Sequence, residues 1–544
     1  MGICRSWGRN TTHINRDLGN VTHTPLQEYV DTVPLPVKGS GVTGGWRTAF
    51  QDMLLPHEMF AAIFKHYPEQ FRQRILPDTT RLHEFWDEMQ SHPQMLGHPV
   101  QERADYKNKC IPISLHGDGV PVAGVGKAWH KSMDAWSWCS LLGTGSTLDF
   151  NFYIYALYDQ CRSKLFGHNT EKVFFLILKW SLLWLYLGQW PTHDPWGAEI
   201  HDPMAGQWLT SAKYYCVLWI IKGDLDYFSK CLKLPFYRSN KPCCFCPANT
   251  TNKPWTDFNR QRSLALQEAW NKARWQATFT ARHILFSLPG LSILSVVADL
   301  MHVKYLGTDA WFFGSVLEFM CSYFATGDPA VNLATLWAFI ITWYQEHKVK
   351  SGKFGNLWLP MFSPSKVTDF PKLKGRAAEI RHFCKPLLAF CTTKLNPNDT
   401  VEGTILLALK MSVKMDEIVD AHAQEIKWSA PVCRDFQEAT FNFLNCSALL
   451  RHLFKQKHIL LFNITIKYHY LAHVALQAEH LNPRLGWCYA GEDFMHKIKI
   501  LAASSVKGKS ALSVANTMCF KYVRGMHYRF LSDCPIILQF LGDQ

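Results

Sequence analysis

Residues 109–122 read KCIPISLHGDGVPV, and residues 213–228 read KYYCVLWIIKGDLDYF. Each is an apolar run, rich in β-branched and aromatic residues, that closes on a glycine and an aspartate: Asp118 in the first, Asp224 in the second. Runs of this length and composition predict strands. Taken singly, each aspartate is a turn or helix-cap residue, because Asp-Gly is a hairpin signal and Asp a favoured N-cap. Taken together they suggest more. If the two strands are sheet neighbours, both carboxylates emerge at one edge. The glycines beside Asp118 would then let backbone and a phosphate approach closely.

Working outward, SMDAWSWCSLL (132–142) and FNFYIYALYD (150–159) predict two further strands, and KVFFLILKWSLLWLYLGQW (172–190) a long apolar helix. Residues 108–228 therefore read β-β-β-α-β, which predicts a mixed α/β sheet. The apolar helix is nearly long enough to span a bilayer, but Lys179 at its centre disfavours that. A helix buried against a sheet is the better expectation. From about residue 260 to 480 the pattern is almost wholly helical, interrupted by a Pro/Gly/Lys-rich piece at 350–374 that reads as a linker. Residues 47–95 also show helical spacing, with Leu54, Phe60, Ile63 and Phe64 able to share a face.

Composition sets the outer limits. With 48% hydrophobic and 14% aromatic residues over 544 positions, the chain can bury a large core and is not globally disordered. The 57 Lys and Arg against 44 Asp and Glu leave +13, which permits a polyanionic partner. Its 17 cysteines are odd in number, scattered and mostly in apolar settings. That excludes a small disulfide scaffold and points to a reducing compartment, so the sequons at Asn10, Asn20, Asn249 and Asn463 read as chance matches. The opening MGICRS lacks a secretory h-region but fits a myristoylation pattern at Gly2 and Ser6, with Cys4 available for a second lipid.

Four constellations carry candidate chemistry. Asp118 and Asp224 need a third acid to complete a two-cation site of the kind that drives phosphoryl transfer. Glu492, in CYAGEDFMHKIKILA (488–502), opens a helix and is the candidate; Asp493 is its neighbour, and a helix-cap role is the alternative. Cys243 and Cys246, in KPCCFCPAN (241–249), form a C-x-x-C that supplies two ligands of a zinc site, with His302 a candidate third. Plain thiols and redox chemistry remain alternatives. Asp299 and His302, in DLMHVKYLG (299–307), fall on one helix face, either as a working pair or as a surface pair. Lys497, Lys499, Lys507, Lys509, Lys521, Arg524 and Arg529, interleaved with Tyr522, His527 and Tyr528, suit phosphate contact with base stacking, or a solvated face.

The order of these pieces resembles the DDE/D transposases of the CACTA and Plavaka-like kind. The resemblance runs over roughly residues 108–505. It rests on HGDG ending a strand, KGD ending a later one, then C-x-x-C, then DLMHVKYLG, then PKLKGRAAEIRHF (371–383), and much later an acid opening a helix. It implies a ribonuclease-H-like core interrupted by a long helical insertion. Asp118, Asp224 and Glu492 would be catalytic acids binding Mg²⁺ or Mn²⁺, with Cys243, Cys246, Asp299 and His302 as auxiliary motifs. It also implies action on DNA at mobile-element ends, a homo-oligomer and a nuclear location. Two departures stand beside it: no separate N-terminal DNA-binding module is evident, and the chain is short at both ends for an autonomous element, which fits a truncated or domesticated copy.

The expected layout is an arm at 1–45, a helical region at 46–107, the first part of the core at 108–250, a helical insertion at 251–480, the last core helix at 481–510 and a basic tail at 511–544. Two other readings compete with an active nuclease. One is an inactive DNA-binding relic of the same fold; the other is a lipid-anchored, membrane-associated helical protein.

Overall fold

The computed structural model describes residues 24–39, 45–121, 132–265, 283–506 and 509–533. Gly2, Cys4, Ser6, Asn10, Asn20 and Lys507 lie outside them, as do residues 266–282 of the stretch expected to be helical from about 260.

The expected arm is structured from residue 24. Strand β1 (Asp31–Lys38) pairs antiparallel with β2 (Trp46–Met53). In DTVPLPVK the apolar residues Val33, Leu35 and Val37 turn inward, while Pro34 and Pro36 occupy the alternate positions. Proline cannot donate to a ladder, which suits a strand paired on one side only. Helix α1 (Pro56–His66) follows, with Phe60 and Ile63 fully buried. So the helical spacing holds from residue 56, and the preceding residues are a strand.

The Asp31 and Glu58 carboxyls, one from each of these two elements, lie close enough to act on one another. Burial, then the charge of Asp31, raises Glu58 well above the usual carboxyl range; burial also raises Asp31. Both shifts are upward, so the pair's contribution to stability is complete below the ordinary values of 3.8 and 4.5 and is lost as pH climbs toward Glu58's raised value. Glu58→Gln should therefore flatten the fall in melting temperature above neutrality, gaining about 2 °C at pH 8. Melting curves of the two proteins from pH 5 to 9 check this.

The central sheet contains β3 (Cys110–Pro121), β4 (Ser132–Ser140), β5 (Phe152–Tyr158) and β6 (Tyr215–Lys222). Their spatial order is β5-β4-β3-β6. The first three form an antiparallel meander, and β6 lies parallel to β3. A parallel neighbour requires a crossover, which α2 (Thr170–Leu187) provides. It packs on β6, α1 and β1, which bury Phe174, Phe175, Ile177, Leu178, Leu182 and Leu185. No helix among the described residues is long and apolar enough to cross a membrane. Gly188 ends α2 at φ +75°, and a Cβ there would sit 2.9 Å from Tyr215 Cβ. The outer edge of β6 is covered at one point, where Val297 N–H donates to Ile221 O.

Past β6, the short helix α3 (Leu225–Lys230) leads toward the helical block. Its first long helix among the described residues, α4, runs from Met301 to Phe324 with wide π-turns over Met301–Asp309 and Phe319–Phe324. Lys304 is buried inside the first of these, ion-paired with Asp309 at 2.8 Å and Asp416 at 3.0 Å. Wide turns of this kind are frequent at functional sites. The piece at 350–374 is a packed strap rather than a linker. Leu373 N–H donates to Ala310 O, and the strap lies so close to α4 that a Cβ on Gly314 would be 2.6 Å from Leu373 N. Helix α5 (Ile466–Gln477) packs on the π-turn, and α6 (Tyr489–Ser505) returns to β3.

The basic tail is also corrected, since its described part is helix α7 (Ala511–Ser532), packed on β2, β5 and α6. Its charges are tied inward. Arg529 pairs with Asp149 at 2.6 Å, Lys521 donates to Ser504 O at 2.7 Å, and Arg524 is buried. Lys497 and Lys499 are half-buried and Lys509 is exposed. These cations do not form a common exposed face.

Candidate functional site

Two neighbouring parallel strands build the site. His116 on β3 is in register with Lys222, the last residue of β6. Asp118 lies two residues beyond His116, and Asp224 two beyond Lys222, so both acids leave the same sheet edge at the same level. The carboxyl ends of parallel strands are where α/β sheets present ligand sites.

Asp224 is also the N-cap of α3, its Oδ1 accepting from Tyr227 N–H at 2.6 Å. The cap and the site are one residue. Tyr227 explains the glycines. A Cβ on Gly117 would be 2.2 Å from its ring, and one on Gly223 2.3 Å. Gly117 and Gly223 therefore admit a tyrosine wedged across the two strand ends, while Gly119, the other glycine beside Asp118, stays exposed and lines the adjoining cavity.

Glu492 reaches the same edge from α6. Gly491 presses the start of that helix onto His116, whose ring would be 2.7 Å from a Cβ there. The Glu492 carboxyl lies near enough to Asp118 and Asp224 for their charges to act on one another. Asp493 is exposed, whereas Glu492 is half-buried and its charge acts on Asp118, so of the two it is Glu492 that lies at this edge. Burial, then the charges of Glu492 and Asp224, pushes Asp118 up to about 8. Burial raises Glu492 as well. Three carboxyl groups thus act on one another at one half-buried edge, where holding like charges together raises the cost of ionising them all.

Asp299 and His302 stand behind Glu492. Asp299 is only 2% exposed, and it accepts from the N–H groups of Met301 (2.9 Å), His302 (3.2 Å) and Cys488 (2.8 Å). It thereby fastens the beginning of α4 to the beginning of α6. It also accepts from His302 Nδ1 at 2.5 Å, leaving His302 Nε2 3.5 Å from Glu492 Oε1. Burial opposes a charge on His302, but the bond to Asp299 and its charge, with Glu492, outweigh it and raise the imidazole to about 9. The pair is therefore a buried support for Glu492, not a surface pair.

A second cluster lies in the helical block. Cys243 Sγ is 3.3 Å from His473 Nε2, Cys246 Sγ is 3.3 Å from His469 Nε2, and the two Nε2 atoms are 3.1 Å apart. All four residues are buried and could hold a metal such as zinc. A tetrahedral zinc ion with ordinary bond lengths places sulfur and nitrogen about 3.6 Å apart and two nitrogens about 3.3 Å apart, close to these values. Cys246 is drawn far below the usual thiol range, first by the hydrogen bond from Cys243 and then by His473 and His469, while burial raises Cys243. The donor set and its spacing fit the ion. His302 is not part of it. The sequence signal that finds the true partners is YHYLAHV (468–474), where two histidines four apart share one face of α5.

Two cavities flank the acids. One, of about 770 Å³, is lined by Asp118, Asp224, Asp134, Arg162 and Lys230. The other, of about 710 Å³, lies beyond Asp224 toward α5. No protein-family model matches the chain, and neither does any curated protein.

Proposed function

We propose that this protein cuts and transfers DNA strands by metal-dependent phosphodiester chemistry, on a ribonuclease-H-like core of the DDE/D transposase kind. The observation that carries the reading is the convergence of Asp118, Asp224 and Glu492 at one sheet edge, where like charges and burial push Asp118 to about 8. The strand order β5-β4-β3-β6, with α2 as the crossover, supports the core assignment.

In this reading the three acids would hold Mg²⁺ or Mn²⁺. Such ions, when bound, activate an attacking oxygen and stabilise the leaving oxygen of a phosphodiester. The protein's own part is positioning. His302, fixed by Asp299, holds Glu492 toward Asp118, and Tyr227 fixes the two strand ends. Lys230 and Lys233 beside the larger cavity supply phosphate contacts. DNA ends and a DNA target are the partners proposed, with a homo-oligomer as the active form and the nucleus as its place of action.

The direct test is incubation of the purified chain with supercoiled plasmid, with and without Mn²⁺. Mn²⁺-dependent nicking supports the reading. DNA binding without any nicking favours an inactive relic. The support around Glu492 is separately testable. Asp299→Asn should lower cleavage about 10- to 100-fold, the usual effect of losing a residue that orients a ligand. It should also bring His302 down from about 9 toward the ordinary 6.5, as followed by NMR titration of the imidazole.

A further inference from the structure

The 710 Å³ cavity shares Asp224 and Asp226 with the larger one, so the two meet at the carboxylates. Its far walls differ in character. Trp255, Trp311 and Tyr237 present half-exposed aromatic faces, and Arg238, Lys372 and Lys467 bring positive charge. Lys372 Nζ lies 5.2 Å from the centre of the Trp311 ring. Its volume falls within the about 300–1,000 Å³ of pockets that hold a small molecule, which suits one or two nucleotides.

We infer that this cavity seats an unpaired nucleotide of the DNA strand, its base against Trp311 or Trp255 and its phosphate on Lys467 and Lys372. Aromatic faces interleaved with cations are how single strands are held without sequence preference. A base adjoining the cut must leave its stack to enter such a pocket. The walls are also tied together. Tyr237, Arg238 and Trp255 flank the Cys243–Cys246 loop, and Lys467 stands two residues before His469, so the Cys/His cluster joins the two segments that enclose the cavity. The inference rests on the DNA reading above, but not on catalysis.

The test is fluorescence anisotropy of the full chain with a labelled six-nucleotide oligo-dT, with no divalent cation added. Trp311→Ala and Lys467→Gln should each weaken binding at least about ten-fold. Trp358→Ala, at an exposed tryptophan outside the cavity, should leave it unchanged. Thermal melts establish that the variants fold. Photocrosslinking of 5-iodouridine oligonucleotide to the unaltered protein gives a second measurement, with the label expected on peptides carrying Trp255, Trp311 or Tyr237. Unaltered affinity in both folded variants, or crosslinks confined to other peptides, would overturn the assignment. If the protein never cleaves DNA but both variants still lose affinity, the cavity assignment stands and the catalytic reading falls.

Discussion

Asp118→Asn is expected to fold, to melt no lower than the parent protein, and to lose Mn²⁺-dependent DNA cleavage by on the order of 10³-fold. The loss follows from removing a ligand of ions worth several kcal/mol to a phosphoryl-transfer transition state, at about 1.4 kcal/mol per ten-fold. The retained stability follows from the electrostatics of the edge. Burial, with Glu492 and Asp224 nearby, raises Asp118 from 3.8 to about 8. A raised carboxyl contributes stability that is complete below its ordinary value and lost as pH rises through the folded one. Asparagine carries no such penalty, so the metal-free variant should gain on the parent between pH 7 and 9. Melting curves and plasmid nicking on the same preparations check both halves. A variant that folds and still nicks at the parental rate removes Asp118 from the chemistry.

The second large effect belongs to the Cys/His cluster. With zinc bound in the cluster, stripping it, or replacing His473 by Ala, should lower the melting temperature by about 10 °C, because binding energy at a structural zinc site is folding energy. The two buried thiols and two buried imidazoles stand 3.1–3.3 Å apart, close to the spacing a tetrahedral ion requires. The loss should extend to single-strand binding, since the cluster joins the walls of the smaller cavity. Cys244→Ser should keep the metal, because Cys244 faces the Tyr470 hydroxyl instead. Zinc content by mass spectrometry, beside calorimetry, gives the result. Stoichiometric zinc in Cys244→Ser and none in His473→Ala is expected. Equal zinc in both would dissolve the cluster.

The core of the site was legible because its signals are local. Asp118 and Asp224 each end an apolar run, and a two-residue offset from paired positions puts them level. Glu492 could be read as an acid opening a helix, but choosing it over Asp493 needed the packing of Gly491 on His116. What the sequence hid depends on distant partners. His469 and His473 lie more than 220 residues from the cysteines they meet, and nothing local to Cys243 points there. His302 looked available for zinc because only one of its two partners, Asp299, is local; the other, Glu492, is 190 residues away. Arg524 and Arg529 read as an exposed basic face until burial and Asp149 accounted for them. The prolines of β1 hid an alternation that burial makes plain.

The most direct test of the central claim is anomalous diffraction from crystals soaked in Mn²⁺. The account predicts manganese density within about 2–2.5 Å of carboxylate oxygens of Asp118, Asp224 and Glu492, alongside zinc density among Cys243, Cys246, His469 and His473. Zinc density at the cluster with none between the three acids, at saturating Mn²⁺, would contradict it.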